Sequence, residues 1–365
     1  MRVNKIKLLK LIDKIIGKTL VLSLPEKAKS DYLTLSSLLN KPDSIKAILL
    51  IRPGGIGDAV LLTPSIKILK SKFLNSQIHI LCEKRNSGIF SLTKEVNEVY
   101  HYDKDFEILK CLKNKYDIVI DTEQWHRLSA VIGYLTRSPI RIGFDTNERK
   151  KLFTDRIPYS HEEYEVYSFF HLIEPLIGEK ITNFEEPFID ISEEDCLSLN
   201  GNNDKIAIFP GATITERRWG ATKYGEVAKR LSKKGFKILI LGSKNDTKDA
   251  NKICEYSDNI FNMAGKTTLQ QVACILKKCK LLISGDTGLL HLAYAVGTPT
   301  VSIFGSGIEK KWAPRGDKHI VLNKHLDCSP CTRFGYTPKC KNSVLCLSLI
   351  TVEDVMRAVD KILSN

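Results

Sequence analysis

The stretch AILLIRPGGIGDAVLLTPSIKILK, residues 47–70, decides the fold of this chain. It opens with a short apolar run that ends at Pro53, which is typical of a buried strand. A glycine-rich turn follows, and from Asp58 onward the apolar residues are spaced as in a helix. A strand, a tight turn and a helix in this order predict the start of a parallel βαβ unit.

The same alternation of strands and helices runs through both halves of the chain. QIHILCE and YDIVIDT predict further strands in the first half, and KIAIFPG, FKILILGS, KLLISGDTG and TPTVSIFG predict strands in the second. The ligands of such sheets bind at the carboxyl ends of the strands. The sequence therefore predicts an α/β protein of two Rossmann-like, doubly wound domains that face a central cleft.

An acidic stretch rich in Asn and Gly, residues 181–204, is expected to connect the two domains. We expect a basic N-terminal helix and connector over 1–44 and an N-terminal domain over 45–185. A C-terminal domain is expected over 204–350, followed by a helix over 351–365.

The chain carries a formal net charge of +13, which favours a polyanionic partner: nucleic acid, an anionic membrane surface or a phosphorylated substrate. Near the N-terminus, apolar residues recur at helical spacing, and lysines lie between them. The apolar residues are Val3, Ile6, Leu9, Ile12, Ile15 and Ile16. Such a helix binds an anionic membrane or packs on its own protein, and the sequence leaves both open. With no signal peptide and no spanning segment, we expect a cytoplasmic protein, peripheral on the inner face of the cytoplasmic membrane if the helix binds lipid.

The glycine-rich turn does not have the spacing of a nucleotide-phosphate motif. A dinucleotide fingerprint would need a third glycine where Val60 stands, and no Gly-Lys-Ser/Thr follows as in a P-loop. A carboxylate at the start of a helix would compete with a phosphate for the free N–H groups. Asp58 is therefore either a helix cap or a general base that faces a ligand.

The second half offers the anion site that the first half lacks. FPGATITERRWG places hydroxyls and guanidinium groups after a strand, and both suit a diphosphate. In SGDTGLLHLAYAVG, a strand ends near Asp286 and a helix opens at Thr287, with free N–H groups available to an anion. A base in one domain and a diphosphate site in the other favour inverting group transfer.

These three motifs, in this order, resemble the bacterial lipopolysaccharide heptosyltransferases, glycosyltransferase family nine, which have a GT-B fold. The resemblance covers roughly residues 45–360. It implies transfer of heptose from ADP-heptose to a hydroxyl of a lipopolysaccharide core or related glycan, with Asp58 as the base and no catalytic cofactor. Arg217 stands where the family carries a lysine on the diphosphate, so that contact is expected to be bidentate.

The site residues follow from the motifs and the resemblance. We expect the donor to be bound by Thr213, Thr215, Arg217, Arg218, Gly242, Asp286, Thr287, Gly288 and His291. DTEQWHRLSAV occupies the place of a family segment that contacts the acceptor. With the glycine-rich turn, it gives the expected acceptor contacts Gly55, Gly57, Asp121, Gln124 and Arg127.

Four cysteines near the C-terminus form a separate candidate site. Cys328 and Cys331 make a CxxC, and Cys340 and Cys346 follow at a wider spacing. Four thiolates suit tetrahedral zinc or a single iron, and similar clusters in relatives of the family bind iron. The alternative is reduced thiols that pack a loop. The other six cysteines are interpreted as ordinary small apolar residues.

The sequence leaves other functions open. A GT-B enzyme with another nucleotide-sugar donor or a protein acceptor, or a nucleotide-sugar epimerase, would share the architecture. A metal-bearing nucleic-acid-binding protein would have clustered basic residues with aromatic residues between them. Here the excess positive charge is spread out and only the N-terminal helix concentrates it, so no nucleic acid is expected. A catalytically silent glycan-binding protein would have no need of Asp58.

Overall fold

This computed structural model describes most of the chain, namely residues 13–26, 41–104, 106–192, 194, 196 and 204–364. The chain divides into two compact units, Met1–Phe184 and Glu185–Asn365. Each unit contains one six-stranded sheet in which every pair of neighbouring strands is parallel. The predicted α/β class with two Rossmann-like halves is confirmed.

The first unit has the strand order β3-β2-β1-β4-β5-β6 of a Rossmann sheet. Its strands are β1 Ala47–Arg52, β2 Gln77–Cys82, β3 Glu98–His101, β4 Ile118–Asp121, β5 Ile140–Phe144 and β6 Asp155–Ile157. The central strand β1 is buried from Ile48 to Arg52, as expected for an apolar strand covered on both faces. Ile51 pairs with Asp121, so the loops that leave β1 and β4 start side by side.

Helices cover this sheet. They are α1 Lys18–Ser23, α2 Ile56–Lys72, α3 Ser87–Phe90, α4 Glu107–Lys113, α5 Leu128–Leu135 and α6 Glu165–Ile177. The helix of the opening motif is α2, and its N-cap is Gly55 in an extended conformation. In the glycine-rich turn, only Gly54 takes a positive φ, of 109°, so only this glycine is required by backbone conformation.

The N-terminal segment packs on its own domain where the structure describes it. A π-helical turn, Asp13–Gly17, precedes α1, and Val21 is fully buried. The Asp13 carboxylate accepts hydrogen bonds from the backbone N–H groups of Arg127, at 2.7 Å, and Leu128, at 2.8 Å, at the start of α5. The predicted apolar residues Val3, Ile6, Leu9 and Ile12 lie outside the described residues. Ile15 and Ile16 are 60% and 50% exposed, so they do not join this contact.

The second unit repeats the Rossmann order, with the sheet β12-β11-β10-β7-β8-β9. Its strands are β7 Lys205–Phe209, β8 Lys237–Ile240, β9 Ile260–Asn262, β10 Leu281–Gly285, β11 Thr300–Ile303 and β12 His319–Leu322. Its helices are α7 Ala221–Lys233, α8 Thr247–Cys254, α9 Leu269–Lys277, α10 Gly288–Ala295, α11 Glu309–Trp312, α12 Leu345–Ser348 and α13 Val352–Leu363.

Two cysteines differ from the interpretation of the sequence. Cys196 and Cys274 were expected to be ordinary apolar residues, but they form a disulfide with their Cα atoms 5.4 Å apart. That expectation was wrong because the two residues are 78 positions apart, and no local pattern reveals their contact. In the described part of the chain, no helix is both long enough and apolar enough to span a bilayer.

Candidate active site

Asp58 lies in the first turn of α2, at the end of the turn that leaves the central strand β1. The N-cap of this helix is Gly55, and no side chain caps it. The Asp58 Oδ2 atom lies over the turn, where a Cβ atom on Gly55 would be only 3.1 Å away. A larger residue at position 55 would push against the carboxylate, so the absence of a side chain at Gly55 leaves room for Asp58. The Asp58 side chain is thus directed at the turn and makes no capping hydrogen bond, and its role as a base stays a prediction.

Arg52, which the sequence interpretation missed, holds the loops after β1 and β4 together. Its guanidinium is 2% exposed and donates to the carbonyl oxygen of Thr122 at 2.7 Å. The same group lies 3.3 Å from the Glu123 carboxylate. Burial works against the charge on Arg52, but the carboxylates of Asp58 and then Glu123 raise the pKa of the guanidinium. Arg52 is thus a fixed positive charge close to the candidate base.

Asp121 lies at the end of β4 but is not accessible to an acceptor. Both Asp121 and Arg149 are completely buried, and they form an ion pair. Arg149 also donates to the carbonyl oxygen of Glu123. The expected direct contact of Asp121 with the acceptor does not fit this burial, and the residue instead fixes the loop that follows β4.

Gln124 and Arg127, two further expected acceptor residues, also have partners within the domain. The Gln124 amide donates to the buried carboxylate of Glu165, which Tyr159 contacts as well, at 3.1 Å. Arg127 forms a two-pronged ion pair with Glu148, with N–O distances between 2.9 and 3.2 Å. Both side chains are partly exposed, so a ligand can reach them without unfolding the loop.

In the second unit, Arg217 and Asp286 come together from distant segments. Arg217 lies in a 3₁₀ turn, Thr215–Arg217, after β7, and Asp286 follows β10. Their side chains form an ion pair of 2.8 Å, and Asp286 is only 7% exposed. The carboxylate neutralises part of the charge on Arg217, so the pair presents a less positive surface than an isolated arginine would.

The helix α10 begins beside this ion pair. Its N-cap is Thr287, whose hydroxyl lies 3.0 Å from the Ser284 hydroxyl, and no side chain caps the helix. The Thr287 side chain makes no capping hydrogen bond, and binding of an anion by the N–H groups at the start of this helix stays a prediction. His291, on the same turn, is 3% exposed and lies against the ring of Trp312.

The remaining expected donor residues spread along the same edge of this sheet. Thr213 and Thr215 are exposed, and Arg218 pairs with Asp249 at 3.4 Å rather than with Asp286. Gly242 follows β8, and a Cβ atom on it would lie 2.9 Å from Asp246. The structure therefore gathers Arg217, Asp286 and Thr287 closely and directs Arg218 to a different partner.

Cys328, Cys331 and Cys340 lie in the loop that follows β12, and Cys346 lies in helix α12. Cys340 Sγ accepts hydrogen bonds from the backbone N–H groups of Asn342 and Val344, at 3.4 and 3.3 Å. Burial raises the pKa of the Cys331 and Cys346 thiols, and the neighbouring cysteines raise it further. Within the described residues, which include all four cysteines, no three His, Cys, Asp or Glu side chains form a group able to hold a metal ion. The structure thus does not support the expected zinc or iron.

Residues 106–341 match the model of glycosyltransferase family 9 (heptosyltransferase). This match covers well over half of the chain. The chain belongs to the heptosyltransferase family. It is therefore a glycosyltransferase of the group that includes the enzymes of lipopolysaccharide biosynthesis.

Individual relatives agree with this membership. The chain is 24% identical over 336 residues to lipopolysaccharide heptosyltransferase 3 of Escherichia coli, covering 85% of this chain and 97% of the relative. Its fold is similar to that of the E. coli ADP-heptose lipopolysaccharide heptosyltransferase II, with a TM-score of 0.71 and 23% identity over 87% of this chain and 98% of that one. It is also similar to E. coli heptosyltransferase WaaC, solved with ADP-2-deoxy-2-fluoro heptose, with a TM-score of 0.67 and 17% identity over 86% and 99%. This heptosyltransferase thus has the GT-B fold that the sequence predicts.

Proposed function

We propose that this heptosyltransferase moves a heptose from an ADP-activated donor to a hydroxyl of a lipopolysaccharide core or related glycan, with inversion at the sugar carbon. The observation that carries the proposal is the position of Asp58, a carboxylate over a glycine turn at the carboxyl end of the central strand. The similar fold of the ADP-heptose lipopolysaccharide heptosyltransferase II of E. coli supports the choice of donor.

In the proposed reaction, the N-terminal domain supplies the base. The Asp58 carboxylate takes the proton of the acceptor hydroxyl as its oxygen forms a bond to the anomeric carbon of the donor. The Asp58 carboxylate raises the pKa of Arg52, so a positive charge is kept near the proposed base. The loops after β1 and β4, joined by Arg52, would present the acceptor, with Gly55, Gly57, Gln124 and Arg127 in contact with it.

The C-terminal domain supplies the stabilisation of the leaving group. As the bond from the anomeric carbon to the diphosphate oxygen breaks, the electron pair and the negative charge leave with ADP. Arg217 and the N–H groups at the start of α10 would bind this charge without a divalent ion. Binding of a diphosphate would draw Arg217 away from Asp286, because a diphosphate carries more charge than one carboxylate.

An anionic membrane is the proposed surface on which the enzyme meets a lipid-linked acceptor. The exposed face of the N-terminal helix carries four apolar residues, Ile15, Ile16, Leu20 and Leu22, which are between 37% and 60% exposed. Lys14 and Lys18 are exposed on the same segment. Apolar side chains flanked by lysines are typical of helices that lie in the interface of an anionic bilayer.

Asp58→Asn tests the role of the base. We expect turnover with ADP-heptose and a core oligosaccharide to fall by about 100-fold or more, while affinity for ADP stays the same, because the amide cannot accept the proton. Asp145→Asn is the matched control, since Asp145 is an exposed carboxylate of the same domain that pairs only with Lys150 among the residues described. Equal turnover in both variants would contradict the assignment of Asp58.

A further inference from the structure

The loop after β4 presents an exposed tryptophan that the reaction above does not use. Trp125 is 38% exposed, whereas Trp219 is only 6% exposed. An exposed indole is expensive to leave in water, since a large aromatic side chain gains much from burial. Its place at the carboxyl end of a central strand is where ligands of a parallel sheet bind.

Hydrogen bonds to the Glu123 carboxylate fix the backbone of the loop that carries Trp125. One oxygen of Glu123 accepts hydrogen bonds from the backbone N–H groups of Gln124, Trp125 and His126, at 3.1, 3.1 and 3.3 Å. Glu123 is 5% exposed. Although burial disfavours its charge, His126, Arg52 and Arg149 lower the pKa of this carboxyl, so it stays ionised and keeps the three N–H groups in place.

Side chains of the next loop fix the carbonyl groups of the same segment. Thr146 donates to the carbonyl oxygen of Gln124 at 2.6 Å, and Asn147 donates to that of Trp125 at 2.8 Å. Asp13 holds the N–H groups that follow, at Arg127 and Leu128. The backbone of Trp125 is therefore bonded on both sides, and the indole is presented on a rigid support.

The same loop is tied to the candidate base. The Arg52 guanidinium bonds the Thr122 carbonyl and contacts Glu123, and the Asp58 carboxylate raises its pKa. A rigid indole near the proposed base Asp58 suits a sugar, because an indole packs against the C–H face of a sugar ring at little cost in side-chain entropy. Trp125 has few rotatable bonds, and its backbone is already fixed, so binding would order little that is not ordered beforehand.

We propose that Trp125 is a stacking platform for a sugar ring of the acceptor glycan. This inference rests on the proposed function for the identity of the acceptor, but not for the geometry of the loop. Trp125 would act in binding and orientation, and Asp58 would act on the proton. The acceptor class is a glycan that can lay the apolar face of a ring on the indole, with its hydroxyls toward Gln124 and the carboxylates around it.

The test compares Trp125→Ala, Trp125→Phe and a control, Phe261→Ala. Phe261 is 42% exposed on the edge strand β9 of the other unit, so its removal measures the effect of losing any exposed aromatic residue. The probe is a core oligosaccharide freed of its lipid, with ADP-heptose as donor. For Trp125→Ala we expect an increase of about tenfold in the KM for the oligosaccharide, with the KM for ADP-heptose and the melting temperature unchanged. Trp125→Phe should recover most of the loss.

Direct binding separates this inference from the proposed function. The oligosaccharide alone should change the tryptophan fluorescence of the wild type and not that of Trp125→Phe. If the wild type binds in this way but transfers no heptose, the platform stands and the proposed function fails. An unchanged KM in Trp125→Ala, an equal change in Phe261→Ala, or no binding to the wild type would overturn the platform. Weaker binding to anionic vesicles with an unchanged KM would instead make Trp125 a membrane contact, and would also overturn it.

Discussion

Replacing Asp121 by asparagine tests whether this residue supports the loop after β4 or contacts the acceptor. Asp121 and Arg149 have no exposed surface, and Arg149 also bonds the carbonyl of Glu123. Removing one partner of a buried ion pair costs about 3–5 kcal/mol, because the other charge stays buried. Arg149 keeps its bond to the Glu123 carbonyl, and asparagine keeps one oxygen, so we expect the lower end, about 3 kcal/mol.

This loss is large enough to read from thermal and urea unfolding. For a domain of this size, 3 kcal/mol corresponds to a fall of about 6–12 °C in melting temperature. The exposed pair of Asp145 and Lys150 provides the control, since Asp145→Asn should cost about 1 kcal/mol or less. Arg149→Met should destabilise the domain as Asp121→Asn does. The double variant should cost less than the sum, because it leaves no unpaired buried charge.

The refuting result is specific. If Asp121→Asn has nearly the stability of the wild type but a higher KM for the acceptor, Asp121 contacts the acceptor. That result would contradict the structural role that we assign to the buried pair. A fall in stability with an unchanged KM in the folded enzyme supports the structural role.

Three further predictions concern other parts of the molecule. Arg217→Ala should weaken ADP binding by roughly 1.5–3 kcal/mol, or about 10- to 150-fold. The control Arg230→Ala removes an exposed arginine that pairs with Glu353 and should leave ADP binding unchanged. Equal ADP affinities of the two variants by calorimetry would place the diphosphate elsewhere. The double variant Ile15→Ser with Ile16→Ser should bind phosphatidylglycerol vesicles about 30-fold more weakly, because it loses about 2 kcal/mol of apolar burial in the membrane. Leu74→Ser, at another exposed leucine, should have no effect. Unchanged sedimentation of the double variant with vesicles would exclude this face as the lipid contact. The imidazole of His171 lies 3.0 Å from the Glu163 carboxylate and 2.9 Å from the Glu174 carboxylate. Burial opposes the charge on His171, but these carboxylates raise its pKa. The two ion pairs therefore stabilise the fold below about pH 6.5, and this stabilisation is lost as the pH rises through the raised pKa. The stability of the wild type should therefore approach that of His171→Gln at alkaline pH, and a difference in urea midpoint that stays constant with pH would contradict this.

The alternation of strands and helices was enough to predict both sheets, because buried parallel strands and their covering helices leave a local apolar pattern. The glycine-rich turn likewise predicted the place of Asp58, since a strand, a turn and a helix fix where the first helical turn begins. These features depend on neighbours in sequence, and the structure keeps them.

The partners of the charged side chains could not be predicted in the same way. Arg52 meets Thr122 and Glu123 across some 70 residues, and Arg217 meets Asp286 across a similar distance, without any periodic signal. Asp121 was expected to contact the acceptor because its segment occupies the place of a family segment that does so, but whether a carboxylate turns inward depends on a buried arginine elsewhere in the chain. Trp125 was passed over because exposure and the support of a loop are properties of the folded chain.

The transfer of heptose by the wild-type enzyme, measured together with the release of ADP, tests the central claim most directly. The purified protein is incubated with ADP-heptose and lipid-free core oligosaccharides, and the release of ADP is compared with the mass and the anomeric configuration of the product. We predict one ADP released for each oligosaccharide that gains one heptose, with inversion at the transferred carbon and loss of both signals in Asp58→Asn. Turnover with a uridine or guanosine sugar but not with ADP-heptose, or a product that retains the configuration of the donor, would contradict the account.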